Sequence, residues 1–231
     1  MISPRSTVRH GFTFTELLVV IVVIVVLVGL LAPSTSGNRA KASRIQCVNN
    51  LKNIGLALRI FAADHARTFP ASLPVASGGF QEPLADANQL WRHWLVVTAQ
   101  LATPKLLLCP ADKQRVAAAA FAPATNLPSQ FVFSGNHQLS YFLGLNATEM
   151  KPASILAGDR NLTTNGTPVA PGRHVFPAGT RFGFTAELHN HSGNVLLGDG
   201  SVQQVTGGRL DEQFRDALKA TGHTNDAWVV P

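Results

Sequence analysis

Residues 9–33 read RHGFTFTELLVVIVVIVVLVGLLAP, and this stretch decides the fold. Leu17 to Leu31 is apolar without a break, and nine of its fifteen residues are Val or Ile. Such a run has poor helix propensity in water. In lipid the backbone must satisfy its own hydrogen bonds, so the run is expected to be helical. Phe12–Ala32 as a helix would be about 31 Å long, close to a hydrocarbon core of about 30 Å. The expectation is therefore a single membrane-spanning segment over residues 12–32. A polytopic membrane protein is excluded, because no other stretch is apolar for as long.

The charge is placed around this run. Residues 1–65 carry seven Lys or Arg against two acids, while the rest of the chain is almost balanced within an overall net charge of +6. That pattern marks a membrane segment rather than a nucleic-acid groove, and no nucleic-acid partner is expected. Charged residues are only 14% of the 231, which excludes a disordered polyelectrolyte and a rod-like coiled coil.

Glu16 is the residue that a plain anchor leaves unexplained, because a lone carboxylate is costly inside a bilayer. A cleavable secretory signal fits no better, since LLAPSTSG is a poor cleavage site. The order basic leader, Gly11, Phe12, Glu16, apolar run and Pro33 resembles the signal of type IV prepilins and type II secretion pseudopilins. The resemblance implies a leader over residues 1–11, cleavage by a prepilin peptidase between Gly11 and Phe12, and methylation of the new Phe12 amino group. It further implies that Glu16 balances the Phe12 ammonium of a neighbouring subunit. The partners implied are the peptidase, other pilin or pseudopilin subunits and membrane lipid. The implied location is a bacterial inner membrane, single-pass, with the head in the periplasm. Gly29 and Pro33 are expected to weaken or kink the helix.

Downstream, Ile45, Val48, Leu51, Ile54, Leu58 and Phe61 recur at helical spacing. The reading is an amphipathic continuation of the same helix over residues 33–65, packed on a globular head over 66–231. The head is read as strands at 138–145, 154–158, 195–197 and 201–205, with Gly198-Asp199-Gly200 turning the last pair. Short helices are read at 88–101 and 209–220, a loop at 66–90, an exposed excursion at 116–130 and a final edge strand at 228–230. The fold class is α+β, a long N-terminal helix on an antiparallel sheet, which is also the pilin-like architecture implied by the resemblance.

Three further motifs resemble those of a bacterial subfamily of pseudopilin-like proteins: Cys47-Val48-Asn49-Asn50-Leu51-Lys52, Cys109-Pro110-Ala111-Asp112, and His189 separated by nine residues from Asp199-Gly200. Cys47 and Cys109 are the only cysteines. In an oxidising compartment they permit a disulfide, and two buried thiols are the alternative. His189, His191 and Asp199 invite a metal reading: zinc through the histidines, or calcium through Asp199 or Asp159, calcium in this part of the head being what the resemblance to pseudopilins implies. A turn in which Asp199 caps local backbone explains the same residues without a metal. No cofactor is required. Ser140, Ser192 or Ser201 with His189 and Asp199 lack any nucleophile elbow or phosphate loop, so the chain is read as a structural protein and not an enzyme. A non-polymerising membrane-anchored binding protein, exported by the prepilin route, is the alternative function.

Overall fold

The structure is a computed structural model that describes residues 11–31, 35–123 and 128–231, with backbone only for residues 30–31 and 35–39. Two units divide at Arg39–Ala40. The first contains helix α1, Phe14–Leu31. Its 18 residues rise about 27 Å, short of a core of about 30 Å. Among the described residues no helix is long and apolar enough to cross a membrane. All of the expected leader but Gly11, together with Ala32 at the end of the expected span and the expected break at Pro33, lies outside the described residues.

Helix α2, Thr35–Asp64, runs into the second unit. Leu51, Ile54, Leu58 and Phe61 are buried as their spacing predicts, joined by Cys47, Ala57 and Ala62. Ile45 is not part of this face and is 58% exposed. It lies nine residues from Ile54, which is two and a half turns at about 3.6 residues per turn, so it points the opposite way. Leu56 and Ile60 share that outward side and are also exposed.

The buried face of α2 lies on a six-stranded antiparallel sheet ordered β5-β9-β1-β2-β7-β8. The strands are β1 Tyr141–Gly144, β2 Ile155–Asp159, β5 Gly172–Pro177, β7 Gly193–Leu197, β8 Val202–Val205 and β9 Asn225–Val230. Alternation sorts their side chains between two cores. Tyr141, Leu143, Leu156, Leu196 and Val229 join α2, and Phe142, Ile155, Val195, Trp228 and Val230 face the other way. Leu156 and Ala157 both point toward α2 because the β2–β7 register slips between Ile155 and Ala157. Gly55 lets α2 approach the sheet, since a Cβ there would stand 2.7 Å from Leu196 Cδ1.

The opposite core is covered by α5, Gly207–Thr221, and by a second sheet, β4-β3-β6, of Thr167–Pro168, Leu162–Thr164 and Phe182–Phe184. α5 buries Leu210, Phe214, Ala217 and Leu218, as expected from its pattern. It ends where Gly222 takes a left-handed φ of 75° and donates its N–H to Leu218. Trp228 stacks on Phe142 at 4.5 Å, and Phe176, Phe182 and Phe214 pack around its ring.

Several expectations change. The final strand is internal, because β5 pairs along its outer side from Gly172↔Val230 to Pro177↔Asn225. The helix expected at 88–101 is broken into α3, Leu90–His93, a 3₁₀ turn over Trp94–Val97, and α4, Thr98–Leu101. The loop at 66–90 is a chain of 3₁₀ turns that buries Phe69, Pro70, Ala71 and Leu84. The excursion at 116–130 is pinned at its base, where Ala118 and Phe133 are buried and Ala120 bridges Val132. Residues 124–127 of it lie outside the described residues.

One buried group gives this unit an acid limit. His93 is wholly buried between the rings of Phe80 and Trp94, and neither ring nitrogen has a hydrogen-bond partner. Burial lowers its pKa from 6.5 to about 3. The folded state therefore resists a proton that the unfolded chain accepts. Stability is whole above pH 6.5 and is lost as pH falls toward 3, by about 1.4 kcal/mol per pH unit from this group. Urea unfolding at pH 7 and pH 4.5 should show the wild type losing about 2–3 kcal/mol more than His93→Leu. Equal losses in the two proteins would remove His93 as the cause.

Candidate functional site

The start of α1 is a reciprocal cap. Thr13 hydroxyl accepts the Glu16 N–H at 3.3 Å, and Glu16 Oε2 accepts the Thr13 N–H at 2.8 Å and its hydroxyl at 2.7 Å. Thr13-Phe14-Thr15-Glu16 is thus a capping box, a signal readable in the sequence that the membrane argument passed over. It starts the helix after Thr13 and leaves Gly11 and Phe12 in irregular backbone, with the Phe12 side chain 75% exposed. Both bonds to Glu16 fall on Oε2, and no hydrogen bond among the described residues reaches Oε1. Every side chain from Leu17 to Val28 is exposed.

In the second unit, Cys47 of α2 and Cys109 are joined as a disulfide, with Cα atoms 5.1 Å apart and both residues fully buried. The turn over Pro104–Leu107 sets the second cysteine in place, and Asn50 of α2 donates to the Leu108 carbonyl at 2.9 Å. Asp112, three residues on, explains the rest of the motif. It accepts two bonds from Arg160, at 2.8 and 2.9 Å, one from the Ser140 hydroxyl at 2.9 Å and one from the Gln114 N–H at 3.1 Å. Burial pushes the Asp112 carboxyl up, but Arg160, Ser140 and the Gln114 N–H outweigh it and hold it below its ordinary value.

Asp159-Arg160-Asn161, at the end of β2, reaches across the fold. Arg160 binds Asp112 and lies 3.4 Å from Glu187. Asn161 donates to the Thr185 carbonyl and holds the 185–192 loop against the sheet. Asp159 is fully buried and accepts from the Asn194 N–H at 2.7 Å and its amide at 2.8 Å. Burial raises the Asp159 pKa to about 7, against the pull of those Asn194 bonds and of Arg44.

His189 sits at this junction. Its Nε2 is 3.4 Å from Cys109 Sγ and 3.5 Å from Asp159 Oδ2. Burial, then the nearby Arg44 charge, lowers its pKa to about 4, so at neutral pH it meets Asp159 as a neutral ring. A cleft of about 430 Å³, lined in part by Lys41, Arg44, Leu188 and Ser192, opens onto it.

The other candidates lie apart. His191 contacts the Phe184 carbonyl at 3.1 Å. Asp199 is at the far end of β7, where its Oδ1 accepts the Ser201 N–H at 2.8 Å, Gly200 adopts a left-handed φ of 86°, and Arg59 donates to the Asp199 carbonyl. The spacing of His189, His191 and Asp199 therefore does not bring three donors together. Among the described residues, the one group of three donor atoms mutually within 4.8 Å is Cys47, Cys109 and His189. Ser140 is bonded to Asp112, and Ser192 contacts the Asn190 carbonyl at 3.5 Å.

The chain is similar to type II secretion system core protein G. Over 59 residues it is 37% identical to that protein of Pectobacterium carotovorum subsp. carotovorum, 39% to that of Klebsiella pneumoniae and 35% to that of Klebsiella michiganensis. The match takes in 26% of this chain and spans 38–42% of the length of these curated relatives. No protein-family model and no solved structure matches the chain. The partial likeness to core protein G supports a pseudopilin-type chain and sits beside an observed α+β fold of helices and antiparallel sheet.

Proposed function

We propose that the chain is a filament subunit of a type II secretion pseudopilus or a related pilus-like fibre, made as a precursor and matured at Gly11–Phe12. The observation that carries this is α1, whose side chains from Leu17 to Val28 are apolar and exposed on every side. A helix apolar all round is stable only in lipid or in a bundle of its own kind. Residues 12–32 would anchor the subunit in the inner membrane and then line the filament core, with the head in the periplasm. The outward row of Ile45, Leu56 and Ile60 on α2 is a separate exposed apolar surface that neighbouring subunits would cover. Likeness to core protein G supports the secretion pseudopilus over other fibres.

Glu16 fits this task chemically. Its Oε2 caps its own helix while Oε1 is left to accept the methylated Phe12 ammonium of a neighbour. Matching the two charges removes the cost of burying either alone, several kcal/mol in hydrocarbon. Coexpression with a prepilin peptidase should yield a mature N-terminus at N-methylated Phe12 by mass spectrometry. Glu16→Ala should still be cleaved and membrane-bound but should no longer enter filaments. A mature chain that retains residues 1–11 overturns the proposal.

The cleft beside His189, with Lys41 and Arg44 on its wall, favours a second reading, an anchored periplasmic binding protein that uses the same export route. For that reading Glu16→Ala leaves function intact.

A further inference from the structure

The second inference concerns the junction of Cys47, Cys109, His189 and Asp159 and is independent of filament assembly. The two sulfurs and His189 Nε2 lie within 4.8 Å of one another, all on buried residues. Nε2 is 3.4 Å from Cys109 Sγ and 3.5 Å from Asp159 Oδ2. A tetrahedral zinc ion, with bonds of about 2.0–2.1 Å to nitrogen and about 2.3 Å to sulfur, sets neighbouring donors roughly 3.3–3.8 Å apart. One edge of such a tetrahedron, between His189 Nε2 and Cys109 Sγ, is therefore already present, and Asp159 stands on the far side of the imidazole nitrogen. The edge between the sulfurs is closed by their covalent bond and opens when they are thiols.

A separate observation points the same way. Asp159 Oδ1 is buried with no hydrogen-bond partner, although Oδ2 takes two bonds from Asn194. A native structure rarely leaves such an acceptor empty. A cation at the junction would supply the positive charge that two thiolates and the neighbouring carboxylate require. His189 also lines the cleft of about 430 Å³ that opens to solvent, which gives an ion a path in.

We propose that, in the dithiol state, Cys47, Cys109 and His189 bind one thiophilic divalent cation, zinc above all, with Asp159 beside His189, and that metal and disulfide exclude each other. Two thiolates and an imidazole are donors that zinc accepts and calcium does not. The exchange balances. A phosphine reductant takes the oxygen of one water and becomes the phosphine oxide, and the two hydrogens of that water end on the two sulfurs. Zinc then displaces those two protons to solution. In the other direction a small-molecule disulfide takes the two electrons by thiol–disulfide exchange and leaves as two thiols with two protons from solution, the Cys47–Cys109 bond forms, and the ion is expelled.

The test uses the full chain in detergent. Oxidised protein and protein reduced anaerobically with a phosphine are each mixed with zinc chloride, freed of loose metal by gel filtration and analysed for zinc. The reduced protein should retain one zinc per chain and the oxidised protein less than a tenth of that. Cobalt(II) in place of zinc should give the reduced chain a thiolate-to-cobalt charge-transfer band, absent in a Cys47→Ser, Cys109→Ser double variant. Reduced wild type that retains no zinc overturns the proposal, and so does equal retention by oxidised and reduced protein. Neither of these comparisons depends on a variant that must fold.

Discussion

A Cys47→Ala, Cys109→Ala double variant should be less stable to urea than the oxidised wild type by about 4 kcal/mol. The bridge joins residues 62 apart, and tying a loop of that length removes roughly this much entropy from the unfolded chain in the chain-entropy account. Both residues are also fully buried, so trimming the sulfurs adds a packing loss. The loop holds the 3₁₀ turns between Pro70 and Leu107 with α3 and α4, a stretch with little regular hydrogen bonding of its own. It should open before the sheet does. Total stabilities are about 5–15 kcal/mol, so the loss is a large share of the whole. Wild type treated with a reductant in the absence of metal should move most of the way to the variant. A difference below about 1 kcal/mol between oxidised wild type and the variant would mean that the bridge does not constrain the unfolded chain.

What the sequence discloses follows the range of the interaction. α5 is readable because Leu210, Phe214, Ala217 and Leu218 repeat along one face and Gly222 stops the helix, all within sixteen residues. The β7–β8 hairpin is readable because Gly198-Asp199-Gly200 is a turn signal flanked by apolar runs. Ile45 misleads because α2 carries two apolar sides, and only the sheet decides which is covered. β3 to β6 escape because they are two to six residues long and partly polar. The place of β9 inside the sheet escapes because β5, some fifty residues earlier by sequence, supplies its outer neighbour. At the junction the sequence exposes Cys47, Cys109 and His189 as motif residues. It does not expose that Arg160 answers Asp112, because the partners are 48 positions apart and each has ordinary neighbours. The capping box of Thr13 and Glu16 is local and fully legible, because its two partners are three residues apart.

Removing Arg160 should be as damaging as removing the bridge. The Asp112 side chain is 1% exposed and that of Arg160 10%, and the guanidinium meets the carboxylate through two parallel bonds. Arg160→Met leaves a buried anion with only the Ser140 hydroxyl and the Gln114 N–H, and should cost about 3–5 kcal/mol. A well-packed apolar replacement of both partners is often close to neutral, so Arg160→Met with Asp112→Leu should recover most of that loss. The sign of the pH dependence separates this account from simple loss of packing. Asp112 lies below its ordinary 3.8 in the folded protein, so its contribution is whole above that pH and is lost as pH falls through and below it. In Arg160→Met the unpaired carboxyl is instead pushed up by burial and takes a proton more readily. The gap between wild type and Arg160→Met should therefore narrow as pH falls from 6 toward 3. The double-variant gap should be small throughout. A gap of constant size across that range would assign the loss to packing of the arginine stem rather than to the stranded charge.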